Sequence, residues 1–386
     1  MKPRILHLSA DYPDRFQPAK TRAISGLVEG TSEQFDHLVV SLNRTGGIGG
    51  LIRPGHIVRR DLSGSVLALS YAAPPAAVAI GSAMARLADA VARELAELNF
   101  SPDLIQGHKL TVEGLAAKRL AERLKVPYVI TVQGNTDQKL LSYRPDRLRH
   151  IRSVWDGAKS VMAFAPWAAE WCEKRLGQRH GPLSIIPCLI AHDARVAPSV
   201  SSPLIRTAFN LDFWRNKNVE TLLAAVQLVA IDHPEVRLEI AGEGSTAAHA
   251  AIAKQIAARG QCDRVRLVGA IAPDRIQSWF NGAAVLALPS RRESFGMVFA
   301  ESLLAGTPVI FSRGTAIDGF FPGADFARSV DPEDAKGIAA VLLDMITRNA
   351  SIKFDLANKQ AQHAFDIFSR EQILADYTTF LETALL

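Results

Sequence analysis

The chain has 386 residues, which is long for one α/β domain and sufficient for two. Hydrophobic residues make up 48% of the sequence and charged residues 22%, a balance that excludes disorder across a large part of the chain. The net charge of +5 favours anionic ligands or an anionic membrane face, but it is too small to indicate nucleic acid, for which the sequence has no recognisable motif.

The cysteines and the N-terminal segment indicate the compartment. Cys172, Cys188 and Cys262 are far apart and lack C-x-x-C spacing, so neither a disulfide framework nor a zinc site is predicted. A reducing compartment fits this pattern. The first apolar run is short and contains His7, unlike a signal peptide. We therefore expect a cytoplasmic protein, soluble or peripheral at the inner membrane face.

In the first half of the chain, short apolar runs alternate with longer helical patterns, which is typical of βα units and a parallel sheet. The predicted strands are Arg4–Ser9, His37–Ser41, Leu104–Gly107, Tyr128–Gln133 and Ser160–Ala165. The predicted helices are Ala23–Thr31, Ala76–Asn99, Thr111–Leu124, Arg147–Asp156 and Ala168–Leu176. The alanine-rich helix carries several charges, so we expect it to be amphipathic rather than membrane-spanning.

The same alternation restarts after Ala191–Pro203, a segment of small and polar residues that we interpret as an interdomain linker. The strands predicted here are Ile205–Leu211, Arg237–Ala241, Val265–Val268, Val285–Ala287 and Pro308–Phe311. The predicted helices are Val219–Asp232, Ala247–Arg259, Pro273–Asn281, Phe295–Ala305, Pro332–Thr347 and Arg370–Ala384.

These patterns predict an α/β fold of two doubly wound, Rossmann-like domains that face a cleft. Ligands of such sheets bind at the carboxyl ends of the strands. We place an N-terminal domain at residues 1–195, completed by the helix at 370–386, and a C-terminal domain at 196–369.

The most informative segment, Ala287–Ile310, is predicted to fold as strand, loop, helix, turn and strand. Ser294 is a candidate N-cap, and Gly306 stands where a left-handed residue ends a helix. Glu293 would precede the helix and could accept hydrogen bonds from sugar hydroxyls. Glu301 would lie on an otherwise apolar helix, where a carboxylate needs partners such as a ribose diol. The alternative, an ordinary capped helix with solvated carboxylates, is about equally plausible on physical grounds alone.

The loop before this helix is a candidate phosphate site. The backbone N–H groups of Phe295, Gly296 and Met297 would lie at the helix N-terminus, where unpaired N–H groups and the helix dipole attract anions. Arg291 or Arg292 could add a charged hydrogen bond to the same phosphate.

This segment resembles the E-x7-E signature of glycosyltransferase family 4, whose members are retaining enzymes of the GT-B fold. The resemblance rests on Glu293 and Glu301, with Ser-Phe-Gly after the first and Gly-x-Pro-Val after the second. It implies that Glu293 contacts the donor sugar and Glu301 binds the ribose. It also implies that Ser294, Phe295 and Gly296 hold the diphosphate.

Two further places in the second half are similar to the family's donor site. Lys217 matches a lysine that contacts the diphosphate, and Arg215 could substitute for an arginine whose usual place is taken by Phe209-Asn210-Leu211. Solvated charges at a helix start are the alternative. Gly242 and Gly244 resemble a G-[DE]-G turn, although a tight βα turn is about equally plausible.

Gly269 resembles the strand-end glycine that precedes the family's base-binding loop. We therefore include Gly269 among the candidate donor-binding residues, without a prediction of the base.

The first half departs from the family pattern at its strand ends. Lys20 and Thr21 replace glycines after the first strand, and Lys20 could neutralise phosphate or form a surface salt bridge. Gln133 replaces the histidine of the family's T-x-H-G and cannot titrate. Cys188 stands in P-C-L where the family has P-N-G. His108 also follows a strand and is a candidate substrate-binding residue.

A basic cluster in the first half has two interpretations. It could bind a lipid-linked acceptor or the inner membrane surface, or it could be a solvated helix face, which is the more frequent case. Its members are Lys139, Arg144, Arg147, Arg149, His150 and Arg152.

The resemblance implies a glycosyltransferase that moves a sugar, with retention, from a UDP- or GDP-sugar to an acceptor hydroxyl, in surface polysaccharide or glycolipid synthesis. The candidate catalytic residues are Glu293, Lys217 and Gln133. The acceptor would be a sugar or a lipid-linked sugar. No metal or other cofactor is expected, because the helix N-terminus and basic side chains would stabilise the leaving diphosphate.

Two other functions stay open. Gln133, Asn210 and the missing glycines are also consistent with a non-catalytic sugar-nucleotide-binding homologue that acts as a pathway subunit. A GT-B epimerase would need acid and base residues that face the sugar, and the sequence offers no convincing set.

Overall fold

The computed structural model describes residues 2–46, 50, 52–73, 80–200 and 202–386. It divides into two compact units by contact. One contains the chain up to Leu189 together with Glu371–Leu386, and the other is Ile190–Arg370. The C-terminal helix therefore belongs to the first unit. Of the predicted helix Ala76–Asn99, residues 76–79 lie outside the described residues.

The first unit is built on a mainly parallel sheet of eight strands, in the order β3-β4-β2-β1-β5-β6-β7-β8. Only the β3–β4 pair is antiparallel among the pairs described. The strands are β1 Arg4–Ser9, β2 Asp36–Thr45, β3 Ile57–Ser63, β4 Val66–Ala72, β5 Leu104–Gly107, β6 Tyr128–Val132, β7 Ser160–Ala163 and β8 Leu183–Ile185. The described helices that precede the second unit are α1 Ala23–Gly30, α2 Ile80–Glu97, α3 Glu113–Leu124, α4 Asn135–Tyr143, α5 Leu148–Gly157 and α6 Pro166–Leu176.

The second unit is built on a parallel sheet of six strands, in the order β11-β10-β9-β12-β13-β14. The strands are β9 Leu204–Ala208, β10 Arg237–Ala241, β11 Val265–Gly269, β12 Val285–Leu288, β13 Val309–Ser312 and β14 Ala327–Val330. The helices are α7 Val219–Asp232, α8 Thr246–Ala258, α9 Ile276–Asn281, α10 Met297–Leu304, α11 Ala335–Thr347 and α12 Asn349–Ala361, after which α13 Arg370–Leu385 returns to the first unit. Every residue of β12 and β13 is buried, as expected for central strands covered on both faces.

Helix α13 is held to the first unit by a buried polar contact. The hydroxyl of Tyr377 donates to Oε1 of Gln106 on β5, at 2.5 Å. Both side chains are fully buried. A buried hydrogen bond of this kind is costly to break, because each group would be left without a partner.

Several elements were not predicted from the sequence. The hairpin of β3 and β4, the edge strand β14 and the helices α4 and α12 are all additions. Strand β3 is exposed along most of its length, so it lacks the apolar run that marked the buried strands. The turn of this hairpin contains Gly64, at φ 58°, which is a backbone region that glycine adopts without strain.

The predicted linker packs on the second unit. The N–H of Val196 donates to the carbonyl of Leu304, at 2.8 Å. A Cβ on Gly306 would lie 2.7 Å from Cα of Pro198, so the segment crosses this glycine closely. Lys353 donates to the carbonyls of Ser199 and, at 2.8 Å, Ala283. The boundary between the units lies at Leu189–Ile190, before this segment.

Two further observations concern the whole described chain. Cys172 and Cys188 are buried, Cys262 is exposed, and none of the three forms a disulfide within the described residues. Among the described residues, none of the helices has the length and apolar character needed to cross a membrane.

Candidate functional site

Two loops of the second unit, residues 215–218 and 289–296, are joined by direct hydrogen bonds. The N–H of Arg291 donates to the carbonyl of Asn216 at 2.8 Å, and Nδ2 of Asn216 donates to the carbonyl of Arg292 at 3.0 Å. The guanidinium of Arg291 donates to the carbonyl of Arg215 at 2.6 Å. The first loop precedes α7, and the second follows the carboxyl end of β12. These loops therefore form one surface at the ligand-binding edge of the sheet.

Lys217 and Glu293, two of the predicted catalytic residues, form an ion pair across these loops. The ammonium of Lys217 donates to Oε2 of Glu293. The side chains are 18% and 15% exposed, so each can still be reached by a ligand. A half-buried ammonium beside a carboxylate offers one group to a phosphate and the other to a hydroxyl.

Asn218 was not singled out from the sequence, although it anchors the same loops. Its backbone is left-handed, at φ 60°, and its side chain is fully buried. Nδ2 donates to the carbonyls of Pro289 at 3.1 Å and Pro332 at 2.6 Å, and Oδ1 accepts from Thr221 Oγ1 at 2.8 Å. The only signal for this residue in the sequence was an asparagine directly before a helix, since asparagine tolerates positive φ.

Helix α10 begins later than predicted, and its N-cap is Gly296 rather than Ser294. Gly296 has φ 67°, and no side chain caps this helix. The prediction of Ser294 as N-cap is therefore wrong, because the left-handed turn at Gly296 places the helix start at Met297. A Cβ at Gly296 would lie 2.7 Å from the ring of Phe299 and 3.0 Å from Cγ of Glu293. The glycine thus lets the loop pass beside the Glu293 carboxylate.

Phe295 contributes to the core of the second unit. Its ring is buried and packs edge-on against Phe320 and Phe368, with centroids 6.2 and 5.9 Å away. Any contact of Phe295 with a ligand must therefore come from its backbone. The neighbouring Ser294 is half-buried, and Met297 is 37% exposed at the start of α10.

Glu301 lies on α10 and has little exposure. Its Oε1 accepts from the N–H of Ala191, at 3.3 Å. Burial raises the pKa of Glu301, and the Ala191 N–H and the nearby His192 partly oppose that rise. A carboxylate has about four lone-pair sites, so Glu301 can accept further hydrogen bonds from a diol. The predicted left-handed residue after α10 is confirmed, since Gly306 has φ 79°.

A third loop, after β13, also reaches Glu293. The N–H of Ala316 donates to the carbonyl of Glu293 at 3.4 Å, and Ala316 is fully buried at φ 56°. The loop is closed by the N–H of Gly314, which donates to Asp318 at 2.6 Å. A non-glycine residue in this conformation is uncommon and is typical of sites fixed by their surroundings.

The predicted glycines of the second unit differ in what surrounds them. A Cβ on Gly242, at φ 144°, would lie 1.8 Å from the carbonyl oxygen of Phe209, and one on Gly244 would lie 2.7 Å from Cβ of Leu211. Close packing within the unit, against backbone at Gly242 and against the Leu211 side chain at Gly244, therefore accounts for both, in agreement with the tight-turn alternative. Gly269, at φ 73°, has open space beside it at the end of β11, which leaves room for a ligand.

The predicted arginines are engaged to different degrees. Arg291 pairs with Glu333 at 2.9 Å. Arg215 is exposed and lies over the ring of Trp214, at 4.7 Å from its centroid. Arg292 is exposed, and its carbonyl rather than its guanidinium holds the loop. Of these three arginines, Arg215 and Arg292 are therefore the more accessible to an anion.

In the first unit, Lys20 is paired within the protein. Its ammonium lies 2.9 Å from Oδ2 of Asp14 and 3.0 Å from Oγ of Ser41, and its side chain is 9% exposed. Burial raises the pKa of Asp14, but hydrogen bonds from Ser41, Asn43 and Lys20 outweigh this and lower it to about 2. Lys20 therefore forms a salt bridge, as in the alternative to a phosphate contact, but the Lys20–Asp14 pair is buried rather than on the surface.

His108 lies in the core, and its prediction as a substrate-binding residue is corrected on that ground. It is fully buried, with Nε2 3.0 Å from Nδ1 of His7 and Nδ1 3.4 Å from the hydroxyl of Thr131. His7 in turn lies 2.8 Å from His37. Burial, the Lys109 charge and His37 lower the pKa of His108 to about 3. These rings form a neutral network inside the sheet.

A buried charge cluster that the sequence did not indicate lies at the carboxyl ends of β1 and β5. Nζ of Lys109 is 2.7 Å from Asp11 and 3.7 Å from Glu113. Burial raises the pKa of Glu113, and the positive charge of Lys109 partly opposes that rise.

Gln133, the third predicted catalytic residue, is half-buried just after β6 in the same unit.

The basic cluster of the first unit is partly neutralised. Arg144 and Arg147 both pair with Asp146, at 2.7 and 3.1 Å, and Arg152 pairs with Asp156 at 3.4 Å. The remaining members, Lys139, Arg149 and His150, are exposed. For the part of the chain that is described, no group of three His, Cys, Asp or Glu is arranged to hold a metal ion.

Comparison with known proteins bears on this site. Residues 205–348, which include both loops and Glu301, match the family model described as Glycosyl transferases group 1. A D-inositol 3-phosphate glycosyltransferase of Xylanimonas cellulosilytica is 33% identical over 230 residues, 54% of this chain and 55% of the relative. The gpi3 subunit of phosphatidylinositol N-acetylglucosaminyltransferase from Schizosaccharomyces pombe is 25% identical over 200 residues, 50% of this chain and 43% of the relative. The second unit therefore contains a region similar to group 1 glycosyltransferases, as the E-x7-E resemblance predicted.

Solved structures extend the similarity of fold to nearly the whole chain. Sucrose-phosphate synthase from Thermosynechococcus elongatus has a TM-score of 0.70 at 19% identity, covering 99% of this chain and 98% of that chain. Anabaena HepE, solved with UDP and glucose, has a TM-score of 0.67 at 17% identity, covering 98% and 99%. The two structures support the predicted GT-B fold. The chain spans about half the length of these curated relatives.

Proposed function

We propose that this protein transfers a sugar, with retention, from a nucleoside diphosphate sugar to an acceptor hydroxyl. The observation that carries the proposal is the pairing of Lys217 with Glu293 beside the N-terminus of α10. In this arrangement Lys217 and the first N–H groups of α10 stabilise the charge on the leaving diphosphate. Glu293 accepts hydrogen bonds from the donor sugar, and Glu301 accepts from the ribose.

The bond changes of this reaction need no group beyond the donor and the acceptor. The bond between the anomeric carbon and the diphosphate oxygen breaks, and the acceptor oxygen bonds to that carbon on the same face. The acceptor proton passes to the departing phosphate oxygen. Lys217, with Arg215 or Arg292, supplies positive charge as the diphosphate leaves, so we propose a metal-independent reaction.

The donor is proposed to be a UDP- or GDP-sugar, and the similarity of fold to Anabaena HepE, which was solved with UDP and glucose, supports the uridine nucleotide. A sugar or lipid-linked sugar is proposed as the acceptor, and surface polysaccharide or glycolipid synthesis as the pathway. The exposed Arg149, His150 and Lys139 support a peripheral contact with the inner membrane face.

A panel of UDP- and GDP-sugars, each with and without sugar acceptors and with added chelator, tests the proposal. We expect nucleoside diphosphate release that depends on both donor and acceptor and survives the chelator. Binding of the nucleotide without turnover under any acceptor condition would contradict the enzyme function.

One observation favours a second candidate, a non-catalytic subunit of a glycosyltransferase complex. A relative that matches half of this chain is named as a subunit. Gln133, where the family has a histidine, is consistent with this candidate. It predicts sugar-nucleotide binding by the isolated chain and turnover only after a partner is added.

A further inference from the structure

We propose that Asn218 is a positioning residue that sets Lys217 against Glu293, a role that rests on the function proposed above. Asn218 is completely buried and does not belong to the predicted donor-contacting set. Its position in the chain is directly after Lys217 and directly before α7. The conformation of residue 218 therefore sets how the loop that carries Lys217 joins α7.

The backbone of Asn218 restricts which residues can take this position. At φ 60° and ψ 41° it is left-handed, a conformation that asparagine and glycine adopt more easily than other residues. The helix leaves this turn at once, since the N–H of Leu222 donates to the carbonyl of Asn218, at 3.2 Å. Backbone geometry alone would allow glycine here.

The side-chain carboxamide of Asn218 makes three hydrogen bonds that a glycine could not make. Its Nδ2 joins the end of β12, through the carbonyl of Pro289, to the carbonyl of Pro332 ahead of α11. Its Oδ1 is oriented by the hydroxyl of Thr221, one turn into α7. Both N–H groups and the oxygen are thus used, which aspartate, serine or an apolar side chain could not reproduce.

These three contacts fix the distance between the two halves of the ion pair. Pro289 begins the loop that carries Glu293, and Asn218 ends the loop that carries Lys217. The bonds between Arg291 and Asn216 hold the outer part of the same loops, while the carboxamide holds the buried part. Without it, the buried carbonyl of Pro289 and the half-buried carbonyl of Pro332 would lose this donor, and the loops could separate.

The test compares Asn218→Gly, which keeps the left-handed backbone and removes the carboxamide, with Asn99→Gly. Asn99 is an exposed asparagine at φ 51° in the other unit, so the control makes the same change at a left-handed position. The first readout is the coupling free energy between Lys217 and Glu293, obtained by urea unfolding from a double-mutant cycle of Lys217→Met and Glu293→Gln. The cycle is measured once with Asn218 in place and once in the Asn218→Gly background. The second readout is kcat and KM for the donor.

We expect Asn218→Gly to abolish most of the coupling and to lower kcat by about tenfold or more, with a smaller change in KM. Asn99→Gly should leave the coupling and both constants unchanged. Coupling and kcat equal to those of the wild type in a folded Asn218→Gly variant would overturn the proposal. Because the coupling is a folding measurement, it decides the role of Asn218 even if the chain catalyses no transfer.

A second variant covers the case in which Asn218→Gly does not fold. Thr221→Val removes only the hydroxyl that orients the carboxamide and keeps the shape of the side chain. We expect a partial loss of the Lys217–Glu293 coupling in this variant. Full wild-type coupling with Thr221→Val would equally overturn the proposal.

Discussion

The ammonium of Lys217 donates to the carboxylate of Glu293, although 76 residues separate them in the chain. The pair joins the loop before α7 to the loop after β12 and lies beside the start of α10. In the proposed reaction, the pair holds a cation for the diphosphate next to a carboxylate for the sugar before any ligand binds. Such preorganisation is the main way in which an enzyme lowers the energy of a charged transition state.

Replacement of Glu301 should weaken nucleotide binding. Glu301→Ala removes a mostly buried carboxylate that would accept from the ribose hydroxyls, and such charged hydrogen bonds contribute about 1.5–3 kcal/mol. We expect the Kd for UDP or GDP to rise about tenfold or more by titration calorimetry. Glu235→Ala, at an exposed position before β10, is the control and should bind normally. Unchanged affinity in Glu301→Ala would refute the ribose assignment.

Replacement of Glu293 should act mainly on turnover. Glu293→Ala removes the proposed contact with the donor sugar and leaves the α10 N–H groups for the diphosphate. We expect kcat to fall by about a hundredfold, with a small change in nucleotide affinity. Glu333→Ala, which removes the exposed partner of Arg291 near the same loop, is the matched control. Equal losses from the two variants would argue against a specific role for Glu293.

Acidification should destabilise the first unit through its buried histidines. The pKa of His108 is lowered to about 3, chiefly by burial, and burial also lowers those of His7 and His37 below 6.5. The unfolded chain then binds more protons than the folded one, so stability is present above about pH 6.5 and is lost as the pH falls below it.

Urea unfolding at pH 7 and pH 5 measures this effect, with hydrogen exchange of β1 to report on the first unit. We expect a loss of up to about 1.4 kcal/mol per pH unit for each histidine involved. His180→Gln, at an exposed position in the same unit, should leave the pH dependence intact, whereas His108→Gln should reduce it. Equal stability of this unit at both pH values would show that the network is not the cause.

Two glycine variants should differ in their effect on folding. Gly242→Ala would place a Cβ 1.8 Å from the carbonyl oxygen of Phe209, which forces the backbone to move. Gly269→Ala meets open space and carries only the strain of its positive φ, about 1–2 kcal/mol. We expect the free energy of unfolding to fall more with Gly242→Ala, and a smaller loss than with Gly269→Ala would contradict the packing described here.

The buried parallel strands and the E-x7-E segment could be predicted because their signals are local. Strand β12 is a continuous apolar run in the sequence. Gly306 follows α10 at the position where a left-handed residue ends the helix. The N-cap of α10 could not be chosen from the sequence, since Ser294 is a suitable cap and only the backbone turn at Gly296 excludes it.

Features that depend on distant partners could not be found in this way. Asn218 matters through the carbonyls of Pro289 and Pro332, which are 71 and 114 residues away. The contact of His108 with His7 likewise joins residues 101 positions apart. His108 was predicted to bind substrate, and this contact instead belongs to the core. Sequence spacing carries no information on which strand ends meet inside a sheet.

The most direct test of the central claim is the transfer itself, followed by NMR of the product formed from a donor labelled at the anomeric carbon. We predict that the label appears in a new glycosidic bond with the anomeric configuration of the donor, and that Glu293→Ala nearly abolishes this signal. A product of inverted configuration, or the same rate of transfer in Glu293→Ala, would contradict the account.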